Sequence, residues 1–175
     1  MDLPGLRPST DRVRETLFNW LGQDLVGLHC LDLFAGTGAL GFEAASRHAN
    51  SVTLLEKDKQ AYAKLLVNFA LLGSSPAPGE VRILHRDSLE FLKQQADRSS
   101  NLIFIDPPFQ EEGLLNQSLI EATRVCDDGA GGGIYVEFPA SRPREQIEAL
   151  VPDWHCGKYL EAGQVKACLF RSKRD

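Results

Sequence analysis

No apolar stretch in the 175-residue sequence approaches the roughly 20 residues that a membrane-spanning helix requires. The opening Met1-Asp2-Leu3-Pro4-Gly5 lacks the basic-then-apolar order of a secretory signal, so a cytoplasmic protein with no membrane partner is expected. Cysteine is sparse: Cys30, Cys126, Cys156 and Cys168 form no C-x-x-C pair, and three of them fall in strand-like segments. That spacing suits neither a zinc site nor a disulfide framework, and reduced, buried thiols are expected. His29, His48, His85 and His155 show no ligand spacing either, so no metal is assigned. An excess of positive charge is also missing: 19 Lys and Arg against 24 Asp and Glu leave a net charge of −5, which excludes a protein that coats nucleic acid by charge alone. There is no internal repeat and no low-complexity tail.

What is present suffices for one domain over 1–175, because 43% hydrophobic residues can cover both faces of a sheet with helices. Pro8-Ser9-Thr10-Asp11 is a helix-start signal, and Val13, Leu17, Trp20 and Leu21 follow at helical spacing, giving a basic helix within 1–22. A core over 28–175 then alternates strands and helices. Strands are predicted over 28–34, 51–56, 81–84, 101–105 and 134–138, with helices over 40–47, from Asp58 to Gly73, around Leu89 to Leu92, over 113–126 and over 143–150. The segments 154–160 and 164–171, joined by Glu161-Ala162-Gly163, read as a hairpin. Five strand–helix units and a hairpin make a parallel sheet closed by one antiparallel strand.

The stretch that organises this pattern is Leu31-Asp32-Leu33-Phe34-Ala35-Gly36-Thr37-Gly38-Ala39-Leu40-Gly41. A strand that ends in a glycine-spaced turn brings backbone N–H groups and a helix N-terminus to one point, where an adenosine-bearing cofactor can approach without meeting side chains. Gly36-x-Gly38-x-x-Gly41 fits a dinucleotide fingerprint, with Glu56 twenty residues beyond Gly36 where a ribose-binding acid is expected. On this stretch alone, NAD and S-adenosylmethionine both remain open.

Ligands of open parallel sheets bind outside the carboxyl ends of the strands. There Glu56 can accept from ribose hydroxyls, and Asp87 can accept from an adenine amino group with the Ser88 backbone nearby. A single acid at a strand end is as readily a solvated cap; three at successive ends are less easily explained so. The choice of chemistry falls to Asp106-Pro107-Pro108-Phe109. Consecutive prolines remove two donors and stiffen the chain, so Asp106 and the Pro107 carbonyl become two fixed acceptors and Phe109 a flat face. Two acceptors that bind both hydrogens of an exocyclic amine free its lone pair for attack on a sulfonium methyl. A carboxylate beside the developing positive charge adds preorganised stabilisation of roughly 3–4 kcal/mol, and stacking of the base on Phe109 adds roughly 1–3 kcal/mol.

Leu6-Arg7-Pro8-Ser9-Thr10-Asp11-Arg12-Val13-Arg14-Glu15-Thr16-Leu17-Phe18-Asn19, the glycine stretch and the Asp106 tetrapeptide together resemble the RsmD family of bacterial 16S ribosomal RNA guanine-N2 methyltransferases. These belong to the class I S-adenosylmethionine-dependent enzymes of the (D/N/S)-P-P-(F/Y/W) type, and the likeness runs as far as Ala162-Gly163-Gln164-Val165. The resemblance implies an α/β, three-layer Rossmann-like fold whose seven-stranded, mostly parallel sheet has the order 3-2-1-4-5-7-6 with strand 7 antiparallel. It also implies methylation of N2 of one guanine, in the 16S rRNA of the small subunit or its assembly intermediate, with release of S-adenosylhomocysteine; a monomer is expected. Carried over residue by residue, the cofactor turn comprises Asp32, Phe34, Ala35, Gly36, Thr37, Gly38, Leu40 and Gly41. Glu56 and Lys57 lie at the ribose, Asp87 and Ser88 border adenine, and Asp106 completes the cofactor side. Asp106, Pro107, Pro108 and Phe109 hold the target base, while Arg7, Thr10, Arg12, Arg14 and Phe109 meet the RNA, with the N-terminal helix beside the site.

Three other functions fit parts of the sequence. A DNA adenine-N6 or cytosine-N4 methyltransferase uses the same tetrapeptide, but 175 residues hold no separate target-recognition domain. An NAD-dependent oxidoreductase rests on the glycine spacing alone. A non-catalytic ribosome-assembly factor requires that Asp106 be dispensable.

Overall fold

The computed structural model of the chain describes residues 8–72 and 79–174, and of residues 8–10 the backbone alone. Seven strands, β1 (His29–Asp32), β2 (Ser51–Glu56), β3 (Glu80–His85), β4 (Leu102–Ile105), β5 (Gly133–Pro139), β6 (Trp154–Ala162) and β7 (Val165–Ser172), form one sheet in the order β3-β2-β1-β4-β5-β7-β6. The first five are parallel, and β7 runs antiparallel between β5 and β6. The helices are α1 (Pro8–Leu21), α2 (Ala39–Ser46), α3 (Lys59–Leu71), α4 (Ser88–Gln94), α5 (Glu112–Val125) and α6 (Arg144–Glu148).

Alternation along the strands divides the core between two faces. Val13, Leu17 and Phe18 of α1, Ala44 of α2 and Leu65 of α3 pack with Leu54, Phe104 and Tyr135. Leu92 of α4, Leu115 and Leu119 of α5 and Ile147 of α6 pack with Leu55, Ile103, Ile105 and Val136. The four residues of β4 are buried on both sides, which is why that strand reads as an unbroken apolar run. Each such large side chain contributes about 1.5–3 kcal/mol by leaving water.

Element ends differ from the sequence reading where local contacts decide them. Leu33 and Phe34 lie outside the β1 ladder, although the Leu33 N–H still donates to the Phe104 carbonyl at 3.1 Å. Asp58 caps α3 as expected, accepting from the Ala61 N–H at 2.8 Å, a contact worth about 1 kcal/mol; the expected helix end at Gly73 lies outside the described residues. The last helix is shorter than expected, with Pro143 as its N-cap and its final turn at Glu148. In β6 the register shifts between Cys156 and Lys158. This bulge at Gly157 turns Trp154 and Cys156 toward the α6 face but Leu160 and Ala162 toward the α1 face. All four cysteines are free thiols, with Cys30, Cys126 and Cys168 buried.

Candidate active site

The register of β1 with β4 pairs Asp32 with Phe104, so the glycine turn after β1 and the Asp106 loop after β4 leave the sheet side by side. The glycines of the turn are required by space as well as conformation. Gly38 has φ +89°, and a Cβ there would stand 2.1 Å from Phe42 Cε2. A Cβ on Gly41 would lie 2.6 Å from Leu54 Cδ2, so that glycine lets α2 approach β2. Gly36 has φ +54° and open space around its missing side chain.

Asp32 lies beneath this turn. It is only 2% exposed, and its Oδ2 accepts from the Gly41 N–H at 3.1 Å, tying the strand to the first turn of α2. Burial pushes its carboxyl up to about 7, against the opposing pull of the Gly41 and Phe34 N–H groups. Phe34, Ala35, Thr37 and Leu40 occupy the same turn, and the Thr37 carbonyl accepts from Asn68 Nδ2 of α3 at 3.1 Å.

Glu56 stands at the end of β2 with both oxygens already engaged. Oε2 accepts from the Gly36 N–H at 3.1 Å and Oε1 from the Asp58 N–H at 2.9 Å. Each oxygen keeps a second lone pair, and the two bonds hold the carboxylate at the turn in one orientation. Asp87, after β3, caps α4 through the Glu90 N–H at 3.0 Å and pairs with Lys57 Nζ at 3.4 Å. That cap and then Lys57 hold its carboxyl below the usual range. Ser88 is buried, its hydroxyl donating to the Leu33 carbonyl, so it braces the turn from below.

Asp106 and Phe109 are half-buried, Pro107 is buried and Pro108 exposed, and the Pro108 carbonyl accepts from the Glu111 N–H at 3.0 Å. Asp106 does not stand alone as its tetrapeptide suggests. Pairing of Ile105 with Val136 places it beside Glu137 of β5, with the two carboxyl groups close enough to share a proton. Burial and the Glu137 charge hold the Asp106 carboxyl well above its ordinary value. Glu137 is 7% exposed and accepts from the Tyr135 hydroxyl at 2.7 Å. Its carboxyl is raised by burial and held back by the Tyr135 and Asp106 donors. Sequence reasoning did not single out Glu137. Its one signal is an acid inside the apolar run Ile134 to Phe138.

Arg12 and Arg14 lie on α1, Arg12 exposed and Arg14 paired with Asp11 at 3.4 Å. The helix packs toward β6 and β7, and Phe18 meets Phe104 at 6.2 Å between ring centroids. Arg7 and the Thr10 side chain lie outside the described residues. An open groove of about 500 Å³ borders the outer side of the turn, lined by Gly36, Thr37, Lys64, Val67 and Asn68 among others. It contains none of Glu56, Asp87 or Asp106, so the acids and not the groove define the candidate site. No helix among the described residues is long and apolar enough to cross a membrane.

The family model described as Conserved hypothetical protein 95 matches residues 1–171. The chain is 41% identical over 172 residues to Ribosomal RNA small subunit methyltransferase D of Escherichia coli strain K12, covering 97% of this chain and 81% of that protein. It is 49% identical over 143 residues to the Haemophilus influenzae protein of the same name, covering 79% and 71%. A solved structure from Escherichia coli, yhhF, superposes with a TM-score of 0.76 at 37% identity, covering 100% of this chain and 92% of that one. At 17% identity, the fold alone is shared with Pyrococcus horikoshii TYW2 in complex with MeSAdo, at a TM-score of 0.69 and a coverage of 97% and 65%. By the extent of these matches, the chain belongs to the Conserved hypothetical protein 95 family, the RsmD family of the resemblance above.

Proposed function

We propose that this protein methylates the exocyclic N2 of a guanine in the 16S rRNA of the small ribosomal subunit, with S-adenosylmethionine as donor. The observation that carries the reading is the adjacency of β1 and β4, which sets the glycine turn next to Asp106-Pro107-Pro108-Phe109. The names of the relatives supply the substrate class.

The residues fit the cofactor. The open backbone at Gly36 leaves room for a close approach, the oriented Glu56 carboxylate has lone pairs to spare for ribose hydroxyls, and Lys57, Asp87 and Ser88 border the next strand end. S-adenosylmethionine, when bound, supplies an electrophilic methyl group. An Asp106 oxygen and the Pro107 carbonyl accept from the two amine hydrogens and orient the nitrogen lone pair, Pro108 keeps the loop rigid, and Phe109 stacks on the base. Arg12 and Arg14, with Arg7 and Thr10, meet RNA phosphates from the N-terminal helix, which we place beside the site. The enzyme works in the cytoplasm as a monomer, on the assembled subunit or an assembly intermediate.

The test is transfer of labelled methyl to small subunits, naked 16S rRNA and DNA, together with calorimetry of S-adenosylhomocysteine and NADH. Labelling of rRNA and binding of S-adenosylhomocysteine are expected. Labelling of DNA alone, or tight binding of NADH, refutes the assignment.

A further inference from the structure

The reading above leaves one buried acid at the carboxyl edge without a task. Glu137 shares the sheet face of Tyr135, two residues before it on β5, and that face is covered by α1 to α3. Three groups reach it: the Tyr135 hydroxyl along its own strand, Asp106 from β4, and more distantly Asp32 from β1. On its other side β7 presents Ala167, while the neighbouring Lys166 donates elsewhere, to the Arg142 carbonyl at 3.2 Å. Of the described cations of α1, Arg12 is exposed and Arg14 is paired with Asp11.

A hydrogen bond between two carboxyl groups requires a proton between them. Glu137 already accepts from Tyr135, which stabilises its charged form, so the shared proton belongs to Asp106. A protonated Asp106 that donates toward Glu137 keeps its other oxygen as an acceptor only, held in place as an amide oxygen would be.

We propose that Glu137 is a positioning residue of the methyl transfer: it holds the proton of Asp106 on the oxygen facing the sheet, turns the other oxygen to the base amine, and takes up the shared proton when the amine's proton reaches Asp106. This rests on the methyltransferase reading. As the amine nitrogen bonds to the methyl carbon, the carbon–sulfur bond of the donor breaks and sulfur keeps its electron pair. The nitrogen then loses one N–H proton to the free oxygen of Asp106, while the proton already on Asp106 passes to Glu137. After product has left, the outward oxygen of Asp106 releases its proton to water and Glu137 returns the shared proton to the inward oxygen, so that Asp106 ends neutral and Glu137 a carboxylate, as they began.

The experiment compares wild type, Glu137→Gln and Tyr135→Phe in methyl transfer to small subunits from cells that lack the gene, over a range of pH. S-adenosylhomocysteine calorimetry and thermal melting run alongside. For Glu137→Gln, kcat should fall roughly 100-fold while KM for donor and RNA stays within about twofold, since acid–base partners contribute in that range. The acid limb of kcat should move to lower pH in Glu137→Gln, where Asp106 faces a neutral amide. It should move to higher pH in Tyr135→Phe, where Glu137 loses the donor that stabilises its charge. A merely structural role lowers the yield of folded protein without moving the limb. Wild-type kcat in Glu137→Gln, or an unmoved limb in both variants, overturns the proposal, and Tyr135→Phe alone decides it if Glu137→Gln does not fold. Should wild type transfer no methyl to rRNA, the functional reading fails separately. Carboxyl 13C NMR titration of the free protein then decides the pairing: Asp106 should titrate nearer the ordinary carboxylate range in Glu137→Gln, and an unchanged titration overturns the shared proton.

Discussion

Asp32→Asn tests whether the acid under the glycine turn is held neutral by burial. The Asp32 carboxyl titrates at 3.8 in the ordinary case and at about 7 in the fold. Between those values the folded chain keeps a proton that the unfolded chain has released, so unfolding gives up a proton and rising pH favours it. Wild-type stability therefore falls by about 1.4 kcal/mol per pH unit from this one group, to a total of about 4 kcal/mol across the window. Asparagine cannot ionise and removes that slope, but it keeps only one acceptor for the Gly41 and Phe34 N–H groups, a loss of about 1–3 kcal/mol. The variant is thus expected to be the less stable protein near pH 4 and the more stable one near about pH 7, with curves that cross between. Urea unfolding at a series of pH values, without ligand, measures both curves. Parallel curves would refute the argument, because they would mean that Asp32 ionises as freely in the fold as in the open chain.

Gly38→Ala forces a side chain into positive φ and against Phe42 and Leu65, whose nearest atoms stand 2.1 and 2.8 Å from the new Cβ. The conformational cost of roughly 1–2 kcal/mol and the overpacking cost of roughly 1–3 kcal/mol should lower the melting temperature and weaken S-adenosylhomocysteine binding together. An unchanged melt would show that the turn does not need glycine there. Asp106→Ala should leave S-adenosylhomocysteine affinity nearly intact and abolish methylation of under-modified small subunits. Equal loss of both would move Asp106 from base recognition to cofactor binding.

Much of the architecture is legible in local pattern, because local chemistry determines it. The apolar run of β4, the Asp58 cap and the hairpin after Asp153 each rest on residues adjacent in the chain. What local pattern does not carry is which strand ends become neighbours. Glu137 looks like an isolated acid until the β4–β5 register sets it beside Asp106. For the same reason the tetrapeptide alone does not reveal the environment of Asp106, whose acidic neighbour comes from a strand nearly thirty residues later. Nor does local pattern show that Asp87 and Glu56, as acceptors, are already engaged by the cap of α4, the Lys57 pair and the Gly36 and Asp58 N–H groups. The bulge at Gly157 leaves no distinct mark in the sequence, because a glycine in an edge strand is compatible with a regular ladder as well.

The most direct measurement of the central claim is nuclease digestion and mass spectrometry of 16S rRNA from cells with and without the gene. One N2-methylguanosine should be missing without it, restored by the wild-type gene and not by Asp106→Ala. An identical modification map in both strains, or a change on a base other than guanine, would contradict the account.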